Sequence, residues 1–233
     1  MVRYLGGKTR LAKHIAKAIL DDTPNRKTYL EPMIGGGSVF TAMAPHFEHA
    51  IGADIHPDLI MMYEALANGW VPPSTVTEEE YQALKQETEP SALRGFVGFG
   101  CSFGGRWFGG YARNTGGTNY AAHSKRSVLK QVPALEDRSF VCTSYNAFEP
   151  KEGAVVYLDP PYEGTTSYIR TPKFDHELFW EIARKWRDRG VLVYVSEFNA
   201  PEDFEVIWEK ERKVGVGEQS NAKYKTRIDR LYK

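Results

Sequence analysis

Hydrophobic residues recur along this chain in two patterns: short apolar runs that end in polar residues, and longer segments with apolar positions three or four residues apart. The runs predict strands at 28–32, 50–54, 139–142, 155–158, 191–195 and 204–208. The helical spacing predicts helices at about 9–20, 38–44, 57–67, 78–89 and 176–189. Because strands and helices alternate, we expect an α/β fold with a mostly parallel sheet and helices on both faces.

The run 155–158 is followed at once by an acid, two prolines and an aromatic residue, Asp159 to Tyr162. Proline lacks an N–H and fixes φ, so Pro160 and Pro161 end the strand and stiffen the turn. Open parallel sheets bind ligands at the carboxyl ends of their strands. Asp159 and the Pro160 carbonyl would accept hydrogen bonds from an amino group there, and the Tyr162 ring would stack on a planar base. The alternative is an ordinary turn capped by an aspartate.

A glycine-rich turn, Gly35 to Gly37, follows the first predicted strand and precedes a helix. The dinucleotide fingerprint is incomplete, because Phe40 stands where a third glycine belongs. Asp54 ends the second strand, where an acid can hold ribose hydroxyls. This pattern favours an adenosyl ligand without a pyrophosphate.

The N-terminal sequence Gly6-Gly7-Lys8-Thr9 resembles part of a phosphate-binding P-loop. That motif needs an earlier glycine, and Val2 occupies the position; no strand precedes it either. A lysine and an aromatic residue, Tyr4, near a helix start would instead suit a carboxylate, although a solvated loop would look the same.

Composition limits the alternatives. The chain has 233 residues with 30 Lys+Arg and 30 Asp+Glu, so any attraction to a polyanion must be local. Cys101 and Cys142 are isolated and the six histidines show no ligand spacing, so we expect no disulfide framework and no metal site. The absence of a long apolar run or leader predicts a cytoplasmic protein with no membrane association.

Residues 94–130 contain several cations, no Asp or Glu, and many glycines and aromatic residues. The cations proposed to bind DNA are Arg94, Arg106, Arg113, Lys125 and Arg126. The aromatic residues are Phe96, Phe99, Phe103, Trp107, Phe108, Tyr111 and Tyr120. Charge of one sign among aromatic rings favours a nucleic-acid surface, with cations for phosphates and rings for bases, over a solvated loop. The glycines suggest a mobile loop.

In this order, the motifs resemble those of the Dam-type DNA adenine-N6 methyltransferases. The matching stretches are Tyr4–Lys8, Leu30–Phe40, Ala53-Asp54, Ser144-Tyr145, Val155–Tyr162 and Arg227–Tyr232. The resemblance implies a Rossmann-like methyltransferase fold, with S-adenosylmethionine as cofactor and double-stranded DNA as substrate. It implies a catalytic domain formed by 1–70 and 135–233, a small target-recognition region inserted at 71–134, and a monomer.

Carried over residue by residue, the resemblance assigns roles to particular side chains. The catalytic residues would be Asp159, Pro160 and Tyr162. The cofactor residues would be Tyr4, Lys8, Glu31, Gly35, Gly37, Asp54, Tyr145 and Asp159. The family often has tryptophan at the position of Tyr4, so this chain keeps an aromatic ring there. The recognition region is short, so we expect a site of few base pairs or relaxed specificity.

Other activities remain open at this point. The N4 amino group of cytosine presents similar chemistry, and the same turn could act on a structured RNA or a protein amide. A catalytically idle DNA-binding protein could also keep the fold. Methylation of cytosine carbon 5 would need a cysteine nucleophile, and Cys101 has no neighbouring base in the sequence.

Overall fold

A computed structural model describes residues 2–163, 174–216 and 223–233 of the protein, with the backbone alone for residues 213–216 and 223–225. Seven strands of this described chain form one sheet. They are β1 (Thr28–Glu31), β2 (His49–Asp54), β3 (Ser139–Cys142), β4 (Val155–Leu158), β5 (Leu192–Glu197), β6 (Val206–Val216) and β7 (Lys223–Tyr232).

The helices of the described chain surround this sheet. They are α1 (Ala12–Asp22), α2 (Ser38–Met43), α3 (Pro57–Ala67), α4 (Glu78–Gln86), α5 (Ala92–Gly100), α6 (Tyr120–Leu129), α7 (Val132–Leu135) and α8 (His176–Asp188). Local sequence sets several of the helix starts. Pro57 opens α3, where its missing N–H costs nothing. Thr77 and Glu80 form a capping box at α4, and Asp175 caps α8.

The strands lie in the order β3-β2-β1-β4-β5-β7-β6. Strands β1 to β5 are parallel, whereas β7 runs antiparallel to both β5 and β6. The chain changes direction across the sheet between β1 and β4, which is the topological switch point where such sheets bind ligands. The predicted α/β, Rossmann-like fold with a mostly parallel sheet is confirmed.

Alternate residues of β4 face opposite sides of the sheet. Val155 and Tyr157 pack into a large apolar cluster with α1, α2 and α3, and Val156 and Leu158 pack into a second cluster with α8. All four side chains are fully buried. Helices therefore cover both faces, and the end of β4 is held from both sides. No helix among the described residues is long and apolar enough to cross a membrane.

The segment 71–134 lies between α3 and β3 and contains α4, α5 and α6. Its apolar residues belong to the same cluster as the helices on that face of the sheet. Gly95 of α5 lies so close to α3 that a Cβ there would stand 2.2 Å from the Asp58 carbonyl oxygen. The expectation of a mobile glycine-rich loop at 94–130 is therefore wrong for much of the segment, because α5 and α6 are packed helices.

Candidate active site at the carboxyl edge of the sheet

Four acids lie at or just beyond the ends of neighbouring parallel strands. Glu31 ends β1, Asp54 ends β2, Asp159 follows β4 and Glu197 ends β5. Parallel strands end at the same edge, so these carboxylates meet around the switch point. Glu31, Asp54 and Glu197 are buried and Asp159 is partly buried. Such a concentration of desolvated acids is a feature of functional sites.

Lys8 provides the positive charge at the centre of this edge. Its ammonium group donates to Asp159 Oδ1 at 2.5 Å, and Lys8 itself is only 9% exposed. The same nitrogen lies 4.6 Å from the centroid of the Tyr162 ring. Lys8 therefore joins the N-terminal segment to two side chains of the turn Asp159–Tyr162. A contact of Lys8 with the cofactor carboxylate, as the sequence suggested, stays a prediction.

The turn Asp159–Tyr162 is also held from β5. The backbone N–H of Glu163 donates to Glu197 Oε2 at 3.3 Å, and that of Phe198 donates to Glu197 Oε1 at 2.7 Å. The Phe198 ring meets the Tyr162 ring at 4.5 Å with an interplanar angle of 86°. Glu197 and Phe198 thus fix where the turn leaves the sheet.

Burial changes the protonation of these acids. Burial raises the pKa of Asp159, and the charge of Lys8 opposes that rise. Burial raises the pKa of Glu31 well above its usual value, although the Tyr29 hydroxyl donates to it at 2.5 Å. Burial raises the pKa of Glu197 to about 7. Lys8 is the one cation that the described structure pairs with these acids, and it pairs with Asp159, so burial without an ion pair holds the pKa of Glu31 well above its usual value.

The glycine turn is organised by Asp54. The two carboxylate oxygens of Asp54 accept from the backbone N–H of Gly35 and of His56, each at 3.1 Å. Gly35 and Gly37 have φ of +45° and +68°, which favours glycine. Burial raises the pKa of Asp54 to about 6, and the backbone donors oppose the rise.

The ring of Tyr4 lies directly against this turn. A Cβ placed on Gly35 would stand 3.0 Å from the Tyr4 ring, and the Tyr63 hydroxyl donates to the Gly35 carbonyl at 2.8 Å. Each Asp54 oxygen retains acceptor capacity beyond its backbone bond. A carboxylate beside a glycine backbone and an aromatic ring fits the hydroxyls and planar base of an adenosyl group, so these residues fit S-adenosylmethionine.

Tyr145 is placed differently. It follows β3 and lies half-buried, with its ring 5.8 Å from both Phe174 and Phe179. These contacts tie Tyr145 to the apolar cluster under α8. Its assignment to the cofactor site stays a prediction.

Arg94 requires a correction. Its guanidinium is buried and donates to both carboxylate oxygens of Asp58, at 3.0 and 3.1 Å, and to the Leu84 carbonyl. These bonds join α5 to α3 and α4. A phosphate contact would require breaking a buried ion pair, so Arg94 is a structural residue and its predicted DNA contact is wrong.

The remaining predicted DNA-binding cations lie at the surface. Arg106, Arg113 and Arg126 are exposed, and Lys125 is half-buried. Arg113 pairs with Glu78, and Lys125 donates to the Ser74 hydroxyl at 3.0 Å. Their role toward DNA stays a prediction.

The aromatic residues of the same segment are mostly core residues. Phe96, Phe99 and Phe108 are buried, and Trp107 packs its ring 4.9 Å from that of Phe99. They cannot stack on bases, which corrects that part of the sequence interpretation. Tyr111 and Tyr120 are partly buried, and Phe103 has 66% of its surface exposed.

Strand β7 and the residue after it carry a second group of cations, Lys223, Lys225, Arg227, Arg230 and Lys233. The side chains of Lys223 and Lys225 lie outside the described residues. Arg230 pairs with Glu209, and Lys233 pairs with Asp22. Arg227 is exposed.

Sequence reasoning missed Glu197, Phe198 and Tyr29. The predicted fifth strand stopped at Val195, whereas β5 continues through Ser196 to Glu197. The signal that identified Asp54, an acid at a strand end, would have identified Glu197 as well. Tyr29 gave no signal, because its bond to Glu31 depends on two side chains of one strand facing the same side.

The thiol of Cys101 is not poised for nucleophilic attack. Cys101 is buried, and burial raises the pKa of its thiol to about 12, far from a reactive thiolate. Among the described residues, no group of three histidine, cysteine or acidic side chains is arranged to hold a metal ion.

Comparison with known proteins adds an independent line of evidence. Residues 4–94 match the family model for D12 class N6 adenine-specific DNA methyltransferases. A DNA adenine methylase of Vibrio cholerae is 26% identical over 84% of this chain and 79% of its own length. A DNA adenine methylase of Haemophilus influenzae is 29% identical over 69% of this chain and 63% of its own.

The solved structures resemble this chain only weakly in sequence and in fold. An rRNA methylase from Streptococcus thermophilus aligns with 94% of this chain and 93% of its own, at 8% identity and a TM-score of 0.38. The fold assignment therefore rests on the strand order and directions described above.

Proposed function

We propose that this chain, whose residues 4–94 match the family model for D12 class N6 adenine-specific DNA methyltransferases, transfers a methyl group from S-adenosylmethionine to the N6 amino group of adenine in DNA at the carboxyl edge of its sheet. The observation that carries the proposal is Asp159, a desolvated carboxylate at the switch point with the Tyr162 ring beside it.

The chemistry follows from the acceptors at this turn. The N6 lone pair of adenine is delocalised into the ring, so the amine is a poor nucleophile. Asp159 and the Pro160 carbonyl would accept hydrogen bonds from the N6 hydrogens and localise that pair on nitrogen. Fixed acceptors of this kind stabilise the transition state without reorganising. Lys8 opposes protonation of Asp159 and holds the carboxylate in place.

We assign the cofactor to the adjacent glycine turn. Asp54 would accept the ribose hydroxyls, the backbone at Gly35 and Gly37 would allow close approach, and Tyr4 would pack on the adenosyl group. When bound, S-adenosylmethionine supplies an electrophilic sulfonium methyl. Glu31, Tyr145 and Lys8 complete the proposed set.

The substrate base must leave the duplex to reach Asp159, because stacking hides N6 from such a turn. Flipping costs a few kcal/mol, and stacking against Tyr162 would return roughly 1–3 kcal/mol. The surface cations Arg106, Arg113, Lys125 and Arg126 would hold the flanking phosphates. This arrangement accounts for a local basic surface on a chain of zero net charge.

Transfer of tritium from methyl-labelled cofactor tests the proposal directly. DNA, RNA and bulk protein would be offered to the wild-type protein, and sequencing of DNA from expressing cells would locate the modified base. We expect label in DNA alone, as N6-methyladenine. Label in RNA or protein, or in cytosine, would refute the assignment.

A further inference from the structure

The strands β6 and β7 form a ribbon that extends beyond the rest of the sheet. Glu197, the last residue of β5, lies opposite Arg230 in the backbone register of β5 and β7. Residues 223–229 of β7 precede that point, and they continue pairing with β6 past the end of β5. Since β7 is antiparallel to β5, this extension projects at the carboxyl edge, the edge that holds Asp159 and Tyr162.

The cations of this ribbon with described side chains differ in their partners. Arg212 is bound by the buried carboxylate of Asp229, with one contact at 2.8 Å. Arg230 pairs with Glu209, and Lys210 contacts His14 at 3.0 Å. Arg227 is exposed, and within the described residues no carboxylate lies at ion-pair distance from its guanidinium.

Arg227 is nevertheless fixed in position. Its guanidinium lies 5.3 Å from the centroid of the Phe198 ring. The Phe198 carbonyl accepts from Arg230 at 2.6 Å and from the Tyr232 hydroxyl at 3.0 Å. Phe198 is thereby anchored to β7, and its ring contacts that of Tyr162 at 4.5 Å. A cation with no carboxylate partner in the described chain is thus held one aromatic ring away from the catalytic tyrosine.

We infer that Arg227 binds a backbone phosphate of the target nucleotide, the one whose base enters the pocket at Asp159 and Tyr162. In a nucleotide, one sugar separates the phosphate from the base. In the protein, the Phe198 ring separates Arg227 from Tyr162, at 5.3 Å from the guanidinium and 4.5 Å from the Tyr162 ring. A guanidinium matches the phosphate oxygens with two parallel hydrogen bonds, and stacking on Phe198 orients it beforehand. Arg227 would hold the flipped nucleotide outside the duplex. The inference rests on the proposed function.

The test uses a duplex that carries the adenine context identified by sequencing, in three forms. One form is unmodified, one has neutral methylphosphonates flanking the target adenosine, and one has them near a duplex end. R227A and R227K would be compared with the wild type by kcat/KM for DNA. R26A is the matched control, because Arg26 is exposed at the opposite edge, before β1.

We expect R227A to lower kcat/KM on the unmodified duplex by roughly 10- to 100-fold, the size of the effect of removing a charge-assisted hydrogen bond. R227K should recover part of this activity, since it keeps the charge but not the paired donors. On the duplex with neutral target phosphates, wild type and R227A should be equal. On the end-modified duplex the full difference should return, and R26A should match the wild type throughout.

An equal decrease for R227A on all three duplexes would overturn the inference and make Arg227 a structural support for Phe198. Wild-type activity of R227A on the unmodified duplex would overturn it as well, leaving the proposed function intact. A wild-type protein that methylates no DNA would instead overturn the proposed function, and the inference with it.

Discussion

At the carboxyl edge of the sheet, the charged side chains are buried and face one another; in the inserted segment 71–134, most charged side chains lie outside and most rings lie inside. Lys8 is 9% exposed and bound to Asp159, whereas Arg113 pairs with Glu78 at the surface. Both regions contain charged and aromatic residues. The comparison shows that composition alone does not tell a binding surface from a packed core.

Solvent explains why the two ion pairs differ in importance. A surface pair gains about 0–1 kcal/mol, because water and salt screen it. A desolvated pair gains more from its geometry but leaves a costly charge behind when one partner is removed. Removing one partner of the pair at the edge should therefore cost more stability than removing one partner of the surface pair.

The largest effect on stability should come from Arg94, the cation of the inserted segment that is buried. Arg94→Ala leaves Asp58 desolvated without its ion pair, so we expect a decrease of about 3–5 kcal/mol in the free energy of unfolding. Arg113→Ala, in the same segment, should change it by no more than about 1 kcal/mol. Urea unfolding of both variants measures this. Equal free energies of unfolding for the two variants would contradict the expectation that a buried charge in this segment matters more than an exposed one.

At the catalytic edge, Asp159→Ala should lower turnover by ~10²–10³-fold, because the variant lacks a positioned acceptor for the N6 hydrogens. Asp21→Ala is the control, since Asp21 is exposed and paired with Lys17 on α1. Turnover would be measured by tritium transfer under saturating cofactor and DNA. If Asp159→Ala kept more than about a tenth of wild-type turnover, the proposed role of Asp159 would have to be abandoned.

Cofactor binding should depend on the protonation of Asp54. The ionised carboxylate accepts ribose hydroxyls better, so cofactor affinity should weaken as pH falls through about 6. Asp54→Ala should cost about 1.5–3 kcal/mol of binding at pH 8. Calorimetry from pH 5 to pH 8 gives both quantities, with Asp54→Asn expected to bind weakly and without that pH dependence. A wild-type affinity that stays constant across this range would assign Asp54 to structure.

Protonation of Asp54 changes cofactor affinity and folding stability in opposite directions. The pKa of Asp54 in the folded protein is raised above 3.8, so its contribution favours the folded state at low pH and is lost as pH rises through about 6. Weaker cofactor binding at low pH therefore cannot be ascribed to unfolding caused by this group.

The smallest change per residue should be a decrease in DNA affinity when the surface cations of the segment 71–134 are replaced. Replacement of Arg106, Arg113, Lys125 and Arg126 by Ala should weaken DNA binding at low salt. It should also lower the salt slope by about 0.9 for each phosphate that the variant no longer neutralises. Cofactor affinity should stay unchanged.

The matched control removes the same charge from the opposite edge, through Ala at Arg26, Lys27, Lys151 and Arg189. Fluorescence anisotropy with labelled duplex at several salt concentrations would compare the two variants. Identical salt slopes would mean that the inserted segment does not contact DNA phosphates, and that DNA lies elsewhere, with the β6–β7 ribbon as the next candidate.

Much of the fold was determined by the sequence because the signals are local. Apolar runs predicted the parallel strands to within a few residues, and helical spacing predicted α3, α4 and α8 close to their observed starts. The order of the motifs led to the resemblance to DNA adenine-N6 methyltransferases. The turn at Asp159 was identified because two prolines end a buried strand wherever it lies in the fold.

What the tertiary structure decided depends on residues far apart in the chain. Lys8 and Asp159 are separated by most of the sequence, and their pairing appears only when β4 and the N-terminal segment meet. In the sequence, Arg94 resembles its exposed neighbours. In the fold, α5 packs on α3 and the Arg94 guanidinium pairs with the Asp58 carboxylate. Burial is a property of the assembled core, because a side chain loses water only when other elements cover it. For that reason the sequence determined which residues could perform the chemistry, and only the packing decided which of them face a substrate.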